Sequence, residues 1–167
     1  MSVEEPPIPT STIIPLEDPF KDARGYIQNL VHRPLGSAVL IFSEKGSLRA
    51  EHWHKEDFHF CHLLSGSLLY LERPVGSREL PVVTRVEAGQ LFFTPPNVEH
   101  SMYFTEASTF LTLGKLSRTH EAYEADLVRL TDKLTEIPTI RDTYIVPTQS
   151  SGSSPDVDSG STAEVAP

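Results

Sequence analysis

Histidines are the residues of this sequence whose spacing best supports chemistry. His52, His54 and His59 fall within eight residues of one another, and His100 follows later in the chain. Residues two apart on a strand project to the same face, so His52 and His54 share one. A turn over residues 55–57 would bring His59 back beside them. The four side chains then form a predicted metal site.

The ligand atoms of such a site are imidazole nitrogens, and their chemistry determines which metal ions bind. Imidazole suits Zn, Fe, Ni, Cu and, less strongly, Mn, whereas ions that prefer only thiolate or only oxygen ligands are disfavoured. We therefore expect one divalent transition metal, with its identity left open. Each histidine also has a simpler interpretation, because a lone histidine in a β region is more often a hydrogen-bonded core or surface residue. That simpler interpretation is preferred for His32, His62 and His120.

The segments that must position these histidines are short strands. From Leu48 onward, apolar and β-branched runs alternate with turn-forming residues, and no helical period separates them. This spacing is typical of an all-β sandwich or barrel. After residue 117 the period changes, because Tyr123, Leu127, Leu130 and Leu134 follow the spacing of one helix face. A single helix of about four turns, from near residue 119 to before residue 138, is predicted there.

The chain divides into four parts by composition. Residues 1–19 are rich in proline and predict an extended arm, either disordered or laid as an edge strand on a neighbouring sheet or subunit. Residues 20–117 form the β-barrel, and residues 118–146 form the C-terminal helix and a return segment. Residues 147–167 are rich in Ser, Pro and Gly without an aromatic residue, which predicts a disordered tail.

Charge and cysteine content exclude several classes of protein. The formal net charge is −9, but most of it lies in the two tails, so the central region is nearly neutral and offers no basic face for nucleic acid. Cys61 is the single cysteine and cannot form an internal disulfide. The first residues lack the pattern of a signal peptide, and no apolar run approaches the roughly 20 residues that span a bilayer. We expect a soluble, cytoplasmic protein.

The histidine segment resembles the first motif of the cupin superfamily, G-x5-H-x-H-x(3,4)-E-x6-G. Gly46, His52, His54 and Gly66 match it, and His59 stands where the family usually has glutamate. The resemblance implies a small jelly-roll barrel with one metal near its mouth. Replacing the carboxylate leaves a neutral set of four histidines, so a bound divalent ion keeps its full charge and is a stronger Lewis acid.

The second cupin motif, G-x5-P-x-G-x2-H-x3-N, is similar to the sequence around His100. Gly89 and Pro95 match, Asn97 replaces glycine and Phe104 replaces asparagine. Asparagine is the non-glycine residue that best tolerates a left-handed turn, so that replacement is mild. Both motifs occur in order on predicted strands, which makes the resemblance specific over residues 20–117.

A further resemblance within the cupins concerns the substrate. Asp22-x-Arg-Gly25, Arg49-x-x-His52-x-His54-Lys55, Pro95-Pro96 and His100-x-Met102 are similar to deoxysugar-nucleotide ketoisomerases, which in turn resemble the RmlC-like epimerases of rhamnose synthesis. Residues 121–130 are similar to their acidic C-terminal stretch. This resemblance implies proton transfer by the two histidines without a metal. It makes His52, His54, Arg49 and Lys55 the catalytic candidates.

Residues around the site are placed by strand alternation. Arg49 and Glu51 are out of phase with His52, so their use in catalysis needs a bulge or a rim position. Tyr103 is out of phase with His100, whereas Met102 and Phe104 are predicted to line the cavity. Cys61 is interpreted as a buried wall residue. Further candidates for positions around the site are Lys55, Tyr70 and Glu99. Three aromatic residues lie on the outer face and need cover from a second layer or from a homodimer: Trp53, Phe58 and Phe60.

Three functions follow from these observations. The leading hypothesis is a metal-dependent cupin enzyme for a small oxygenated metabolite, in which zinc or nickel supports isomerisation, epimerisation or cyclisation and iron, manganese or copper supports dioxygenase chemistry. The second is a metal-free nucleotide-sugar ketoisomerase with His52 or His54 as acid and base. The third is a non-catalytic cupin that only binds or senses a ligand.

Overall fold

The computed structural model describes residues 5–145. The predicted disordered tail, residues 147–167, lies outside the described residues. Twelve strands follow one another in chain order within the described part: β1 Ile13–Ile14, β2 Phe20–Asp22, β3 Gly25–Ile27, β4 Ser37–Ser43, β5 Leu48–His54, β6 His59–Ser65, β7 Ser67–Pro74, β8 Val82–Glu87, β9 Leu91–Thr94, β10 Val98–Phe104, β11 Ser108–Gly114 and β12 Leu127–Arg129.

Two five-stranded antiparallel sheets form the body of the fold. The first has the strand order β1-β9-β6-β11-β4 and the second has the order β12-β5-β10-β7-β8, while β2 and β3 form a separate hairpin. Alternate residues of each sheet turn inward and meet in one apolar core. Its buried members come from both sheets: Cys61, Leu63, Leu68, Tyr70, Val86, Phe92, Met102, Phe104 and Phe110. The predicted all-β jelly-roll class is confirmed, with the two sheets packed as an open barrel.

Gly66 shows how closely the chain must turn between β6 and β7. Its φ is +83°, and a Cβ atom there would lie 2.4 Å from the carbonyl oxygen of Ala107. Only glycine meets both demands without a shift of the neighbouring backbone. The last glycine of the first motif is therefore explained by this turn.

The outer face of the first sheet is covered by the N-terminal arm. Phe58, Phe60 and Phe93 form a buried cluster there, and Ile14 and Leu16 of the arm pack against it. β1 pairs with β9, so the arm adds an edge strand to the sheet of its own chain. Of the two alternatives for this arm, the edge strand is the one found. Each large side chain buried in this way contributes about 1.5–3 kcal/mol.

The prediction of one C-terminal helix is wrong. Helix α1, His120–Asp126, begins where it was expected, with the Thr119 side chain accepting from the Ala122 N–H. The chain then becomes extended and pairs as β12 with β5, and a 3₁₀ turn at Leu134–Glu136 precedes a second helix, α2, at Pro138–Tyr144. Backbone hydrogen bonds to the otherwise open edge of β5 outweigh the helical period of the sequence.

The leucines that suggested a long helix are nevertheless buried. Leu127 and Leu134 are 6% and 0% exposed, and Leu134 packs with Tyr103 on the outer face of the second sheet. The apolar pattern therefore identified the buried residues correctly but not their backbone conformation. None of the helices in residues 5–145 is long and apolar enough to cross a bilayer.

Candidate active site

Four histidine rings meet at one end of the space between the sheets. His52 and His54 lie on β5, His59 begins β6, and His100 on β10 is the register partner of His52. Ring centroids are 4.8 Å apart for His52 and His54, 4.8 Å for His52 and His100, and 4.7 Å for His54 and His59. The period of two along β5 and the antiparallel pairing with β10 produce this convergence.

Three of these histidines form a compact group of ligand atoms. One ring nitrogen from each of His52, His54 and His100 lies within 4.8 Å of the other two. The Nδ1–H of His54 donates to Asp126 Oδ2 at 2.9 Å, and the Nδ1–H of His100 donates to the carbonyl of Val98 at 3.0 Å. Because these partners only accept, both Nε2 atoms carry lone pairs. Nε2 of His54 is buried and has no hydrogen-bond partner.

His59 stands apart from this group. Its Nε2–H donates to Asp57 Oδ2 at 3.1 Å, and Asp57 Oδ1 also accepts from the Leu116 N–H at 3.0 Å. Gly114 faces the ring, since a Cβ atom there would lie only 3.0 Å from Cδ2 of His59. The fourth predicted ligand is therefore beside the other three, but its Nε2 is engaged by a carboxylate.

Burial keeps the three clustered imidazoles neutral. It lowers the pKa of His52 to about 3, with further contributions from the neighbouring His54 and His59. Burial also lowers the pKa of His54, against the opposing effect of Asp126, and holds the pKa of His100 well below its ordinary value. Neutral imidazole is the form that binds a metal or accepts a proton.

Asp126 is a site residue that the sequence did not reveal. Besides His54, its carboxylate accepts the backbone N–H of Glu56 at 2.9 Å and that of Asp57 at 3.3 Å. One buried side chain at the end of α1 therefore fixes both the tautomer of His54 and the turn that leads to His59. The sequence indication of Asp126 was the acidic stretch at residues 121–130. The prediction of one long helix there gave no reason to place Asp126 beside His54.

The histidines adjoin a cavity of about 310 Å³. His52, His59 and His100 line it, whereas His54 is 1% exposed and lies behind them. The remaining lining residues are Ile41, Leu48, Arg49, Ala50, Cys61, Met102, Phe110, Thr112, Arg118, Tyr123, Leu127 and Arg129. Three arginines and a tyrosine thus accompany the imidazoles.

Tyr123 is the second site residue missed by sequence reasoning, which assigned it to an apolar helix face. Its ring centroid lies 6.2 Å from that of His52, and the guanidinium of Arg118 lies 4.6 Å above the tyrosine ring. Burial raises the pKa of Tyr123, so its hydroxyl stays protonated near neutral pH. No carboxylate pairs with Arg118 among the described residues, whereas Arg129 is paired with Glu124.

Arg49 reaches the cavity because β5 contains a bulge. Ala50 and Glu51 have φ angles of 69° and 54°, and the register with β10 shifts between His100 and Ser101. Simple alternation therefore fails here, and the bulge that catalytic use of Arg49 required is present. Its Nε–H donates to Ser43 Oγ at 2.6 Å and its Nη2–H to the Phe42 carbonyl at 2.8 Å.

Other predicted site residues lie away from the cavity. Lys55 donates to the carbonyl of Ala125 at 2.9 Å, and Glu99 accepts from Arg73 at 2.7 Å. Tyr103 packs on the outer face of the second sheet, as its phase predicted. Tyr70 is fully buried in the core.

The wall of the cavity follows the predicted phase more closely. Met102 lines the cavity, and Phe104 packs in the core beside it. Cys61 is a buried wall residue whose pKa is raised to about 12 by burial. Its thiol pairs with Thr112 at 3.6 Å and is unsuited to act as a nucleophile.

Comparison with solved structures identifies the fold. The QdtA sugar 3,4-ketoisomerase from Thermoanaerobacterium thermosaccharolyticum, solved with TDP, has a TM-score of 0.55 and 19% identity over 69% of this chain and 85% of that chain. The dTDP-4-dehydrorhamnose 3,5-epimerase from Sulfolobus tokodaii has a TM-score of 0.57 and 15% identity over 77% and 87%. The chain has a cupin fold. A 3,4-ketoisomerase from Helicobacter canadensis matches the chain with a TM-score of 0.57 and 17% identity over 75% of this chain and 91% of that chain.

Comparison with protein sequences gives no match. No protein-family model matches the chain, and no curated protein matches it. The expected resemblance to RmlC-like cupins is confirmed through the fold alone.

Proposed function

We propose that this cupin is an isomerase or epimerase for a small sugar-like carbonyl metabolite. The observation that carries the proposal is a cluster of neutral imidazoles beside the protonated Tyr123 in a cavity lined by Arg49, Arg118 and Arg129. Imidazole and phenol are the acid and base that carbonyl isomerisation requires. The sugar-nucleotide enzymes that share the fold support a substrate of this class.

The reaction is a proton transfer in two balanced steps. A base removes the proton from a carbon next to the carbonyl, and its electron pair forms the carbon–carbon double bond while the carbonyl oxygen takes a proton from Tyr123. Return of a proton to the opposite face of the same carbon, with loss of the enol proton, gives the epimer. Where that carbon carries a hydroxyl, protonation of the former carbonyl carbon and loss of the proton of that hydroxyl give the isomeric ketone. Arg118 and Arg49 are suited to hold an anionic group of the substrate, because arginine binds phosphate and carboxylate through paired N–H groups.

The first version of this proposal places a divalent transition metal at His52, His54 and His100. The buried Nε2 of His54 has no partner, and it belongs to the group of three ring nitrogens within 4.8 Å of one another. Fixed tautomers and a carboxylate behind one ligand are also typical of metal-binding histidines. A bound ion would act as a Lewis acid toward the substrate carbonyl. His59 lies beside this group of ring nitrogens without belonging to it, so the four-histidine set would be completed only by a movement of His59.

The second version is metal-free, with His52 as the base. His52 lines the cavity next to Tyr123 and has a lone pair available at neutral pH because its pKa is lowered to about 3. Such a low pKa makes it a weak base, which counts against this version. The resemblance to metal-free ketoisomerases counts in favour of it.

Elemental analysis of the purified full-length protein separates the two versions. The metal version predicts about one divalent ion per chain, lost in His52→Asn and in His100→Asn and retained in the matched control His120→Asn. The first version is contradicted if the wild-type protein contains no metal even after dialysis against Zn, Fe, Ni, Mn and Cu salts. The second version then remains.

Solvent exchange tests the activity itself. The protein is incubated in ²H₂O with a nucleotide-linked 4-keto sugar such as TDP-4-keto-6-deoxyglucose, and deuterium incorporation next to the carbonyl is followed by NMR. We expect exchange in the wild-type protein and its loss in Tyr123→Phe. Binding of the sugar without exchange, in metal-loaded and metal-free protein alike, would contradict the isomerase proposal and support a ligand-binding or sensor role.

A further inference from the structure

Two consecutive residues of β5 have a backbone conformation that side chains rarely adopt. Ala50 and Glu51 both lie in the left-handed region, with φ angles of 69° and 54°. Neither is glycine, so the surrounding structure must hold this conformation in place. The contacts that hold it are concentrated on Glu51.

The side chain of Glu51 accepts three hydrogen bonds from two different elements. Ser101 Oγ on β10 donates to Oε2 at 2.6 Å, and the backbone N–H of Leu134 donates to the same oxygen at 3.0 Å. The hydroxyl of Thr135 donates to Oε1. The backbone takes part as well, because the Leu130 N–H donates to the Glu51 carbonyl at 2.9 Å. Glu51 therefore joins β10 and the 3₁₀ turn to the bulge.

The bulge in turn determines where Arg49 lies. On a regular strand Arg49 would face away from His52, because the two residues are three apart. The shift in register instead makes Arg49 the partner of Met102, and both side chains line the cavity. A regular β5 would remove the guanidinium from the site.

We propose that Glu51 is a positioning residue that holds the β5 bulge and so keeps Arg49 in the cavity. Its side chain is not among those that line the cavity, so it acts through the backbone of β5. The inference rests on the proposed function for the role of Arg49 in binding an anionic substrate. The placement of Arg49 is tested without any substrate.

The test measures by NMR how fast the Nε–H of Arg49 exchanges with solvent, in protein labelled with ¹⁵N-arginine. The signal of this N–H is assigned by its absence from the spectrum of Arg49→Lys. In the wild-type protein we expect the hydrogen bond to Ser43 to slow the exchange of this N–H with solvent. Glu51→Ala removes the carboxylate and with it the three side-chain hydrogen bonds that hold the bulge, so we expect at least a tenfold faster exchange. The matched control Glu136→Ala, which removes an exposed carboxylate of the 3₁₀ turn, should leave the rate unchanged.

A rescue variant separates positioning from general loss of structure. Glycine adopts the left-handed conformation without strain, so Ala50→Gly in the Glu51→Ala background should restore slow exchange. Binding of inorganic pyrophosphate should weaken about tenfold in Glu51→Ala, recover with Ala50→Gly, and be unaffected by Glu51→Ala when Arg49 is already alanine. Unchanged exchange of the Arg49 N–H in folded Glu51→Ala, or a failure of Ala50→Gly to restore it, overturns the proposal. If the wild-type protein puts no deuterium into the sugar while these Arg49 results hold, the proposed function fails and this inference stands.

Discussion

The cavity has two sides that are built in different ways. The strand side carries the histidines on β5, β6 and β10, and its geometry follows from alternation and antiparallel register. The C-terminal side, residues 118–129, brings Arg118, Tyr123, Asp126 and Arg129 against it, and Asp126 lies 72 residues after its partner His54. The strand side supplies lone pairs, and the C-terminal side supplies a proton donor, positive charge and the carboxylate that orients His54. Neither side is a complete site by itself.

Removing the proton donor of the C-terminal side should have the largest effect on activity. Tyr123→Phe deletes the hydroxyl while keeping the ring under Arg118, and loss of a general acid lowers kcat by about 10²–10⁴-fold. The free energy of unfolding should change by less than about 1 kcal/mol, since the hydroxyl forms no hydrogen bond with any residue from 5 to 145. The exposed Tyr144→Phe serves as the control. Full activity in Tyr123→Phe would show that the C-terminal side supplies no proton donor.

Cutting the connection between the two sides should have the next largest effect. In Asp126→Asn the new amide can accept from His54 only by turning its NH₂ toward the backbone N–H of Glu56. We expect a 10–100-fold loss of metal affinity or activity and a loss of about 1–3 kcal/mol in stability. Isothermal titration and urea unfolding measure both, with the exposed Asp142→Asn as control. Unchanged metal affinity and activity would show that the two sides work independently.

The sequence predicts one side of the cavity much better than the other, for physical reasons. A period of two places His52 and His54 together whatever the rest of the chain does. The C-terminal side depends on the open edge of β5, which no local pattern announces, and so the helical spacing of Leu127 and Leu134 was misleading. Arg49 was misplaced by the same alternation rule, because the rule fails where the backbone turns left-handed at a bulge.

Acidification should lower the free energy of unfolding through the histidines of the strand side. The pKa values of His52, His54 and His100 are lowered in the folded protein, so below the ordinary value of 6.5 the unfolded chain binds more protons. Their contribution to stability is complete above that pH and is lost as the pH falls toward the folded values, which for His52 is about 3. Each group adds at most about 1.4 kcal/mol per pH unit.

The measurement is urea unfolding of the chelator-treated protein between about pH 7 and 5.5, above the range in which most carboxylates titrate. His52→Asn should flatten the profile, and the control His120→Asn should leave it unchanged. A stability that does not change over this range would mean that the imidazoles are hydrated, contrary to their burial.

The smallest effect is expected at Lys55, which the sequence placed among the catalytic candidates. Its ammonium group bonds the carbonyl of Ala125 at the surface, so it joins β5 to α1 without entering the cavity. Lys55→Met should change kcat by less than about threefold and stability by less than about 1 kcal/mol. A large loss of kcat would restore the catalytic role and extend the active region beyond the cavity.

Gly114 restricts the residues that can stand at position 59. A Cβ atom at residue 114 would lie 2.6 Å from Oγ of Ser37 and 3.0 Å from Cδ2 of His59. Introducing alanine at residue 114 should therefore displace both side chains and weaken the hydrogen bond between His59 and Asp57, and a smaller residue at position 59 relieves only one of the two contacts. Positions 37, 59 and 114 therefore have to be varied together in any library that reshapes this end of the cavity.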